Sequence, residues 1–329
     1  MDTPGALFAD LLGQPQAVQL LQAALVHRRL APAYLFAGPQ GVGRRLAARR
    51  FLEGVLAGPG GSPAVRRRLA EGNHPDLLWV EPTYSDKGQL IPASKAEESG
   101  VSRRTPPQLR LEQIREVSRF LARRPVEAPG CLVVLEGAEA MAEGAANALL
   151  KTLEEPGDGL LVLITAAPEQ LLGTIRSRCQ QIPFARLAPE LVRRVLAALP
   201  PSPEAEIGGQ RPDPPELAEL AAGSPGALLR HRSQWQQLPE GLAARLLQLT
   251  PEPLAALELA RELTEALDGE QQLWLLDWWQ IALWRRHPDP APLRRLEQLR
   301  RQLRSFVQPR LAWEVALLEL AGRLATVCH

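Results

Sequence analysis

The sequence predicts an α/β protein followed by an all-helical region, on three observations. Up to about residue 185, short β-rich apolar runs alternate with amphipathic helical patterns. A glycine-rich loop joins one apolar run to the long helical pattern after it, and from Ala188 onward no convincing strand remains. Strands that are apolar on both faces and separated by helices imply a parallel sheet covered on both sides.

Taken in order, residues 16–29 carry apolar side chains at helical spacing and lead to a strand at 34–36, within the apolar run 33–37. Helical patterns follow at 45–57, 111–123 and 142–154, and strands at 77–80, 132–135 and 160–165. The stretch 82–107 holds prolines, charges and small residues with little periodicity, which reads as a surface excursion or a partly disordered segment. Beyond the sheet, 189–199 reads as a short helix, 200–215 as a loop rich in proline and glycine, and 216–222 as a helix stopped by Gly223. From about Leu238 the pattern is helical throughout. Leu293, Leu296, Leu299 and Leu303 form one stripe, and Leu317, Leu320 and Leu324 another. The predicted domains are therefore 1–186, 187–237 and 238–329.

The loop itself is Gly38-Pro39-Gln40-Gly41-Val42-Gly43-Arg44-Arg45. Its glycine spacing fits a phosphate-binding loop, in which backbone N–H groups face phosphates at a helix N-terminus, but the last two positions should be Lys and then Ser or Thr. Arg44 keeps a positive charge on a broad planar fork, and Arg45 has no oxygen to offer Mg²⁺. The loop's shape is kept and its chemistry is lost. A glycine turn formed for packing alone is the competing explanation.

Composition sets modest limits. Lys plus Arg at 38 against Asp plus Glu at 37 gives a formal charge of +1, so no overall field attracts polyanions and any nucleic-acid contact must be local. The apolar runs, such as 160–167, fall far short of the roughly 20 residues of a membrane helix, and the first residues lack a charged segment followed by an apolar one. The expectation is a cytoplasmic chain. Cys131, Cys179 and Cys328 are far apart, so neither a disulfide framework nor a metal site is supported, and the five histidines read as surface or capping residues. Trp274, Trp278 and Ile281 share a helix face, with Trp279 and Trp284 close by, and at that spacing they read as core or subunit interface. Arg66-Arg67-Arg68 and Arg103-Arg104 read as solvated charge, since no nucleic-acid motif supports them.

The motifs then become specific. Leu132-Val133-Val134-Leu135 runs into Glu136-Gly137, and Leu149-Leu150-Lys151-Thr152-Leu153-Glu154-Glu155-Pro156 follows. A later strand leads to Thr165 and then to Ile175-Arg176-Ser177-Arg178-Cys179. With Gly13-Gln14 and Asn73-His74-Pro75-Asp76 in the same order, this succession resembles the clamp-loader branch of the AAA+ ATPases. The resemblance covers the first 230 residues or so and continues more loosely to Pro309-Arg310-Leu311. It implies an AAA+ parallel sheet, a small helical lid and an all-helical collar that assembles into a hetero-pentamer with gamma/tau-type and delta-type subunits, acting on a sliding clamp and primed DNA.

Position by position, the resemblance also implies a silent nucleotide site. Glu136 stands where a carboxylate holds Mg²⁺ through water, while Gly137 stands where a glutamate polarises the attacking water. After Gly223-Ser224, Gly226 lies where a lid arginine would reach the phosphates. With Gly38, Gly41, Gly43, Arg44 and Arg45 forming a worn loop, no efficient turnover is expected and no cofactor is assigned. ATP belongs to neighbouring subunits, with residual nucleotide or phosphate binding left open. Arg178, flanked by Ser177 and Cys179, matches the arginine that projects towards ATP in the next subunit. In this family a four-cysteine zinc module usually follows the loop's helix, and the span 56–73 contains none, so packing is expected in place of metal. The alternatives are an active gamma/tau-like motor ATPase, in which Arg44 substitutes for lysine, a stand-alone DNA-binding factor of AAA+ descent, and a scaffold without a finger.

Overall fold

Alternation at period two decides how the first half of the chain packs. The computed structural model describes residues 7–86, 88–96, 98–100, 106–155, 157–199, 211–305 and 307–327, with only the backbone from 323. The chain divides into two compact units, Met1–Leu199 with Gly223–Gly226, and Pro200–Ala222 with Ala227–His329. The segment 187–237 contributes to both, since its first helix counts with the sheet.

In chain order the first unit comprises α1 (Pro15–Val26), β1 (Ala33–Ala37), α2 (Arg44–Ala57), α3 (Pro63–Ala70), β2 (Leu77–Val80), β3 (Thr83–Asp86) and β4 (Gln89–Pro92). It continues through α4 (Leu111–Leu121), β5 (Leu132–Glu136), α5 (Glu143–Glu154), β6 (Leu160–Thr165), α6 (Gly173–Ser177), β7 (Gln180–Pro183) and α7 (Pro189–Ala198). Five strands form one parallel sheet in the order β2-β5-β6-β1-β7. Each crossover between parallel strands carries helix, as that topology requires.

Successive side chains leave a strand on opposite faces. Ala33 and Leu35 of β1 join Val133, Leu135, Leu161 and Leu163 against the buried faces of α4 and α5. Tyr34 and Phe36 turn the other way, onto Phe51 of α2, with ring centroids 4.8 and 6.3 Å apart. All six residues of β6 are buried. The helices and strands anticipated from periodicity are thus present within a few residues of their expected ends.

The stretch 82–107 differs from expectation. It folds back as the antiparallel pair β3–β4, with Tyr84 opposite Ile91 and a small core of Tyr84 and Ala96. Thr83 and Gln108 exchange backbone hydrogen bonds at 3.0 Å. A hairpin that buries so little leaves no apolar alternation to read. Within this stretch Lys87, Glu97 and 101–105, with Arg103-Arg104, lie outside the described residues, as do Pro156, 200–210 and Cys328.

The second unit is helical: α8 (Pro215–Ala221), most of α9 (Pro225–Gln237), α10 (Leu242–Leu247), α11 (Pro253–Ala266), α12 (Gly269–Arg286), α13 (Pro290–Leu303) and α14 (Pro309–Val327). Trp274, Trp278, Trp279 and Trp313 are buried, Trp279 stacks on Trp313 at 6.3 Å, and Trp284 remains 48% exposed. Two of these four buried indole N–H groups find acceptors. Trp274 Nε1 donates to His231 Nδ1 at 2.9 Å, and Trp313 Nε1 to Gln272 Oε1 at 3.0 Å. In the leucine stripes Leu296, Leu299, Leu317 and Leu320 are buried, while Leu293 and Leu303 are half-buried. The side chain of Leu324 is outside the described residues. Among the described residues no helix is long and apolar enough to cross a membrane.

Candidate functional site

The glycine loop stands at the C-terminal end of β1, with Gly43 as the left-handed N-cap of α2. Gly38, Gly41 and Gly43 take φ values of 153°, 80° and 103°. Gln14 stitches this loop to the sheet edge. Its amide nitrogen donates to the carbonyls of Val42 and Ala185 at 3.2 and 2.8 Å, and its oxygen accepts from Ala185 N–H at 3.0 Å. Arg44, at the first position of α2, is buried.

Arg45 pairs with the carboxylate at the end of β5. Its Nε lies 2.6 Å from Oε1 of Glu136, so a half-exposed guanidinium compensates a largely buried carboxylate. Trp79 backs the pair, with the guanidinium carbons of Arg45 and Arg49 at 5.9 and 5.4 Å from its ring centroid, within cation–π range. Burial raises the Glu136 carboxyl above its ordinary range, against the pull of Arg45. Burial likewise lowers Arg49, and the neighbouring Arg45 adds to that effect.

The next position, Gly137, has no room for a side chain. Gly137 has φ of 58°, and a Cβ there would lie 2.8 Å from Cγ of Pro82. Backbone strain and a rigid ring both oppose any side chain.

From the other direction, the segment 223–226 closes over the loop. Ser224 Oγ donates to the Gln40 carbonyl at 2.6 Å and Gly226 N–H donates to the Gly41 carbonyl at 3.0 Å. A Cβ on Gly226 would fall 2.8 Å from Gly41 Cα and 3.1 Å from its oxygen. Position 226 therefore packs backbone against backbone. Around the glycine loop the structure thus brings together the Arg45–Glu136 ion pair, Gly137 against Pro82 and Gly226 against Gly41.

Arg178 lies elsewhere. It caps the C-terminus of α6 immediately before β7, and the register pairs Gln180 with Tyr34 and Pro183 with Ala37. Arg178 is thus level with the start of β1, whereas the glycine loop follows its end, on the order of 15 Å away along the strand direction. Its Nη1 donates to the Thr174 carbonyl at 3.1 Å and its Nη2 to Glu154 Oε1 at 2.9 Å, with 37% of the side chain exposed. Ser177 Oγ also donates to Thr174, at 3.1 Å. Cys179 is buried in the sheet core, and burial pushes its thiol up to about 12. A neutral, inert sulfur anchors one side of Arg178 while the guanidinium faces outward.

Two quoted motifs prove to be framework. Asp76 accepts from the backbone N–H groups of Val126, Glu127 and Ala128 at 2.7, 2.8 and 2.9 Å and so shapes the loop into β5. Burial alone would raise its carboxyl, but those three bonds bring it below the ordinary range. His74 is buried, accepting from Asp76 N–H at 3.2 Å, and burial lowers its pKa. It is therefore no surface histidine. Just before the span that lacks cysteines, Glu53 of α2, fully buried, accepts from Ser62 N–H and Arg66 Nε, each at 2.9 Å, and from Arg50 Nη1 at 3.3 Å. Arg66 and Arg68 are thus ion-paired, the latter with Glu127, and Arg67 is the exposed member of the run.

Sequence reasoning passed over Glu53, Trp79 and Arg49, and quoted Glu154 within a motif without its contact to Arg178. Only Glu53 left a signal, as a lone charge inside the apolar run Phe51-Leu52-Glu53-Gly54-Val55-Leu56. Among the described residues no group of His, Cys, Asp or Glu could hold a metal ion.

Residues 13–188 match the family described as DNA polymerase III, delta subunit, and residues 191–320 match the cyanobacterial DNA polymerase III delta prime, C-terminal domain. A DNA polymerase III subunit delta' from Pseudomonas aeruginosa is 35% identical over 242 residues, covering 68% of this chain and 65% of that protein. The subunit delta' of Bacillus subtilis is 34% identical over 185 residues, covering 54% and 50%. The chain thus spans less than two thirds of the length of these relatives. A DNA polymerase III gamma subunit-related protein from Thermotoga maritima superposes with a TM-score of 0.52 at 17% identity, over 94% of this chain and 99% of that one, which is a likeness of fold.

Proposed function

This chain belongs to the delta-prime family of DNA polymerase III clamp-loader subunits, and on that premise we propose that it is a non-hydrolysing member of its assembly that lends Arg178 to a neighbour's ATP. The observation that carries this reading is the position of Arg178. It is held, partly exposed, at the end of the sheet away from its own glycine loop, so its guanidinium can serve a phosphoryl group only across a subunit boundary. A guanidinium so placed neutralises charge developing on the transferred group, an effect worth about 10³ to 10⁵ in rate in well-characterised nucleotide hydrolases.

The glycine loop supports the other half of the reading. With Arg45 on Glu136 and Gly226 against Gly41, the chain has no working arrangement for Mg²⁺–ATP and carries no intrinsic ATPase or polymerase activity. Its partners are gamma/tau-type ATPases and a delta-type subunit in a cytoplasmic hetero-pentamer, and its setting is the loading of a sliding clamp onto primed DNA. Having no nucleotide to shift its state, it acts as a fixed wall beside subunits that move.

The test is reconstitution of the complete assembly with Arg178→Ala. DNA-stimulated ATP hydrolysis and clamp loading should fall by two orders of magnitude or more, while assembly is retained. Unchanged turnover refutes the finger. ATP hydrolysis by the purified chain, lost on substitution of Arg44, refutes the non-hydrolysing half in favour of a gamma/tau-like motor.

A further inference from the structure

We propose that Glu154 is a positioning residue for Arg178, a role that rests on the finger reading above and assigns a task to the helix that ends in Leu153-Glu154-Glu155. A guanidinium carries five N–H donors in one plane. In this chain Nη1 is taken by the Thr174 carbonyl of α6 and Nη2 by Glu154 Oε1 of α5. Two anchors on two different nitrogens, from two different helices, fix the plane of the group as well as its place. Three N–H donors stay free of these bonds and available to a phosphate oxygen from outside.

The chain's topology explains why the partner comes from α5. That helix begins after the C-terminal end of β5 and returns to the start of β6, so its last turn lies at the same end of the sheet as α6 and the beginning of β7. Glu154 closes α5, Glu155 is its C-cap, and α5 packs on α6. On the other side of Arg178, the buried Cys179 keeps the backbone in register. The guanidinium is therefore set in orientation before any neighbour arrives. Preorganisation of this kind lowers the ordering cost of the transition-state contact and belongs in the turnover number rather than in ATP affinity.

Glu154 is itself half-exposed, which limits what the pair contributes. Exposed pairs are weak, so the expected change is about 2- to 5-fold. In the complete assembly, Glu154→Ala should lower kcat of DNA-stimulated hydrolysis by that factor with KM for ATP unchanged. Glu154→Gln, which keeps an oxygen for Nη2, should lose less. On an Arg178→Ala background neither substitution should lower kcat further, and thermal unfolding of the free chain should be unaltered.

A full kcat for Glu154→Ala, beside a defective Arg178→Ala, overturns the positioning role and leaves the finger standing. The same fractional loss on the Arg178→Ala background, or a change confined to KM, overturns it in favour of an effect elsewhere on α5. A silent Arg178→Ala removes the finger and this role together.

Discussion

Replacing Gly226 by alanine adds one methyl group where the segment 223–226 lies on the glycine loop. The new Cβ falls 2.8 Å from Gly41 Cα and 3.1 Å from its carbonyl oxygen. Both are backbone atoms, so no side-chain rotation relieves the contact. Overpacking of this kind costs about 1–3 kcal/mol. The Gly226 N–H to Gly41 bond, 3.0 Å in the native chain, lengthens as the segment is pushed away and gives up roughly 1 kcal/mol more. Alanine's advantage over glycine in the first turn of α9 returns up to about 1 kcal/mol, leaving a net loss of about 1–3 kcal/mol. Gly226 does not have positive φ, so the effect is steric and not conformational.

Urea unfolding followed by far-ultraviolet circular dichroism, with amide exchange at Gly226, measures this directly. The control is Gly144→Ala in α5, where nothing lies within 4 Å of the new Cβ and the change should be neutral or stabilising. A Gly226→Ala protein as stable as the control, with Gly226 still protected from exchange, refutes the proposition that backbone from 223–226 fills the place of a lid arginine.

Asp76→Ala strips three backbone N–H groups of their acceptor and should cost about 3–5 kcal/mol in urea unfolding, with Val126, Glu127 and Ala128 exchanging freely. Because the Asp76 carboxyl is depressed in the folded chain, its contribution is complete above the unfolded value near 3.9 and is lost as pH falls through the folded one; Asp76→Ala should flatten that limb of an acid titration. His74 and His231 are also depressed, chiefly by burial. Their share of stability is complete above about pH 6.5 and declines below it, and protonated His231 can no longer accept from Trp274, so tryptophan emission should change over that limb and cease to do so in His231→Phe. Glu53→Ala leaves two arginines facing a vacated buried site; the partly exposed Arg66 keeps water, so the expected loss is about 2–4 kcal/mol, seen as earlier unfolding and faster proteolysis within 58–70.

How much of this was legible beforehand depended on the kind of signal each element carries. β6 and α5 announce themselves because burial on two faces or on one stripe imposes a period. β7 does not, because an edge strand of Gln180, Gln181, Ile182 and Pro183 buries only Ile182. The hairpin β3–β4 and the short helix α3 were missed for a related reason: each is secured by a few local contacts rather than by a repeating apolar face. The glycine loop itself was legible, since the spacing of Gly38, Gly41 and Gly43 marks a turn that leads into a helix.

The contacts around that loop could not be seen. The sequence alone determined the parallel α/β unit, the helical remainder and the glycine loop between a strand and a helix, because periodicity and side-chain chemistry are properties of the chain read in order. Tertiary structure decided that Arg45 sits on Glu136, that Gly226 seals Gly41, and that Arg178 stands braced by Glu154 at the far end of the sheet. Those pairings join residues 24 to 185 positions apart, and strand order and register, not local pattern, bring them within a few ångströms.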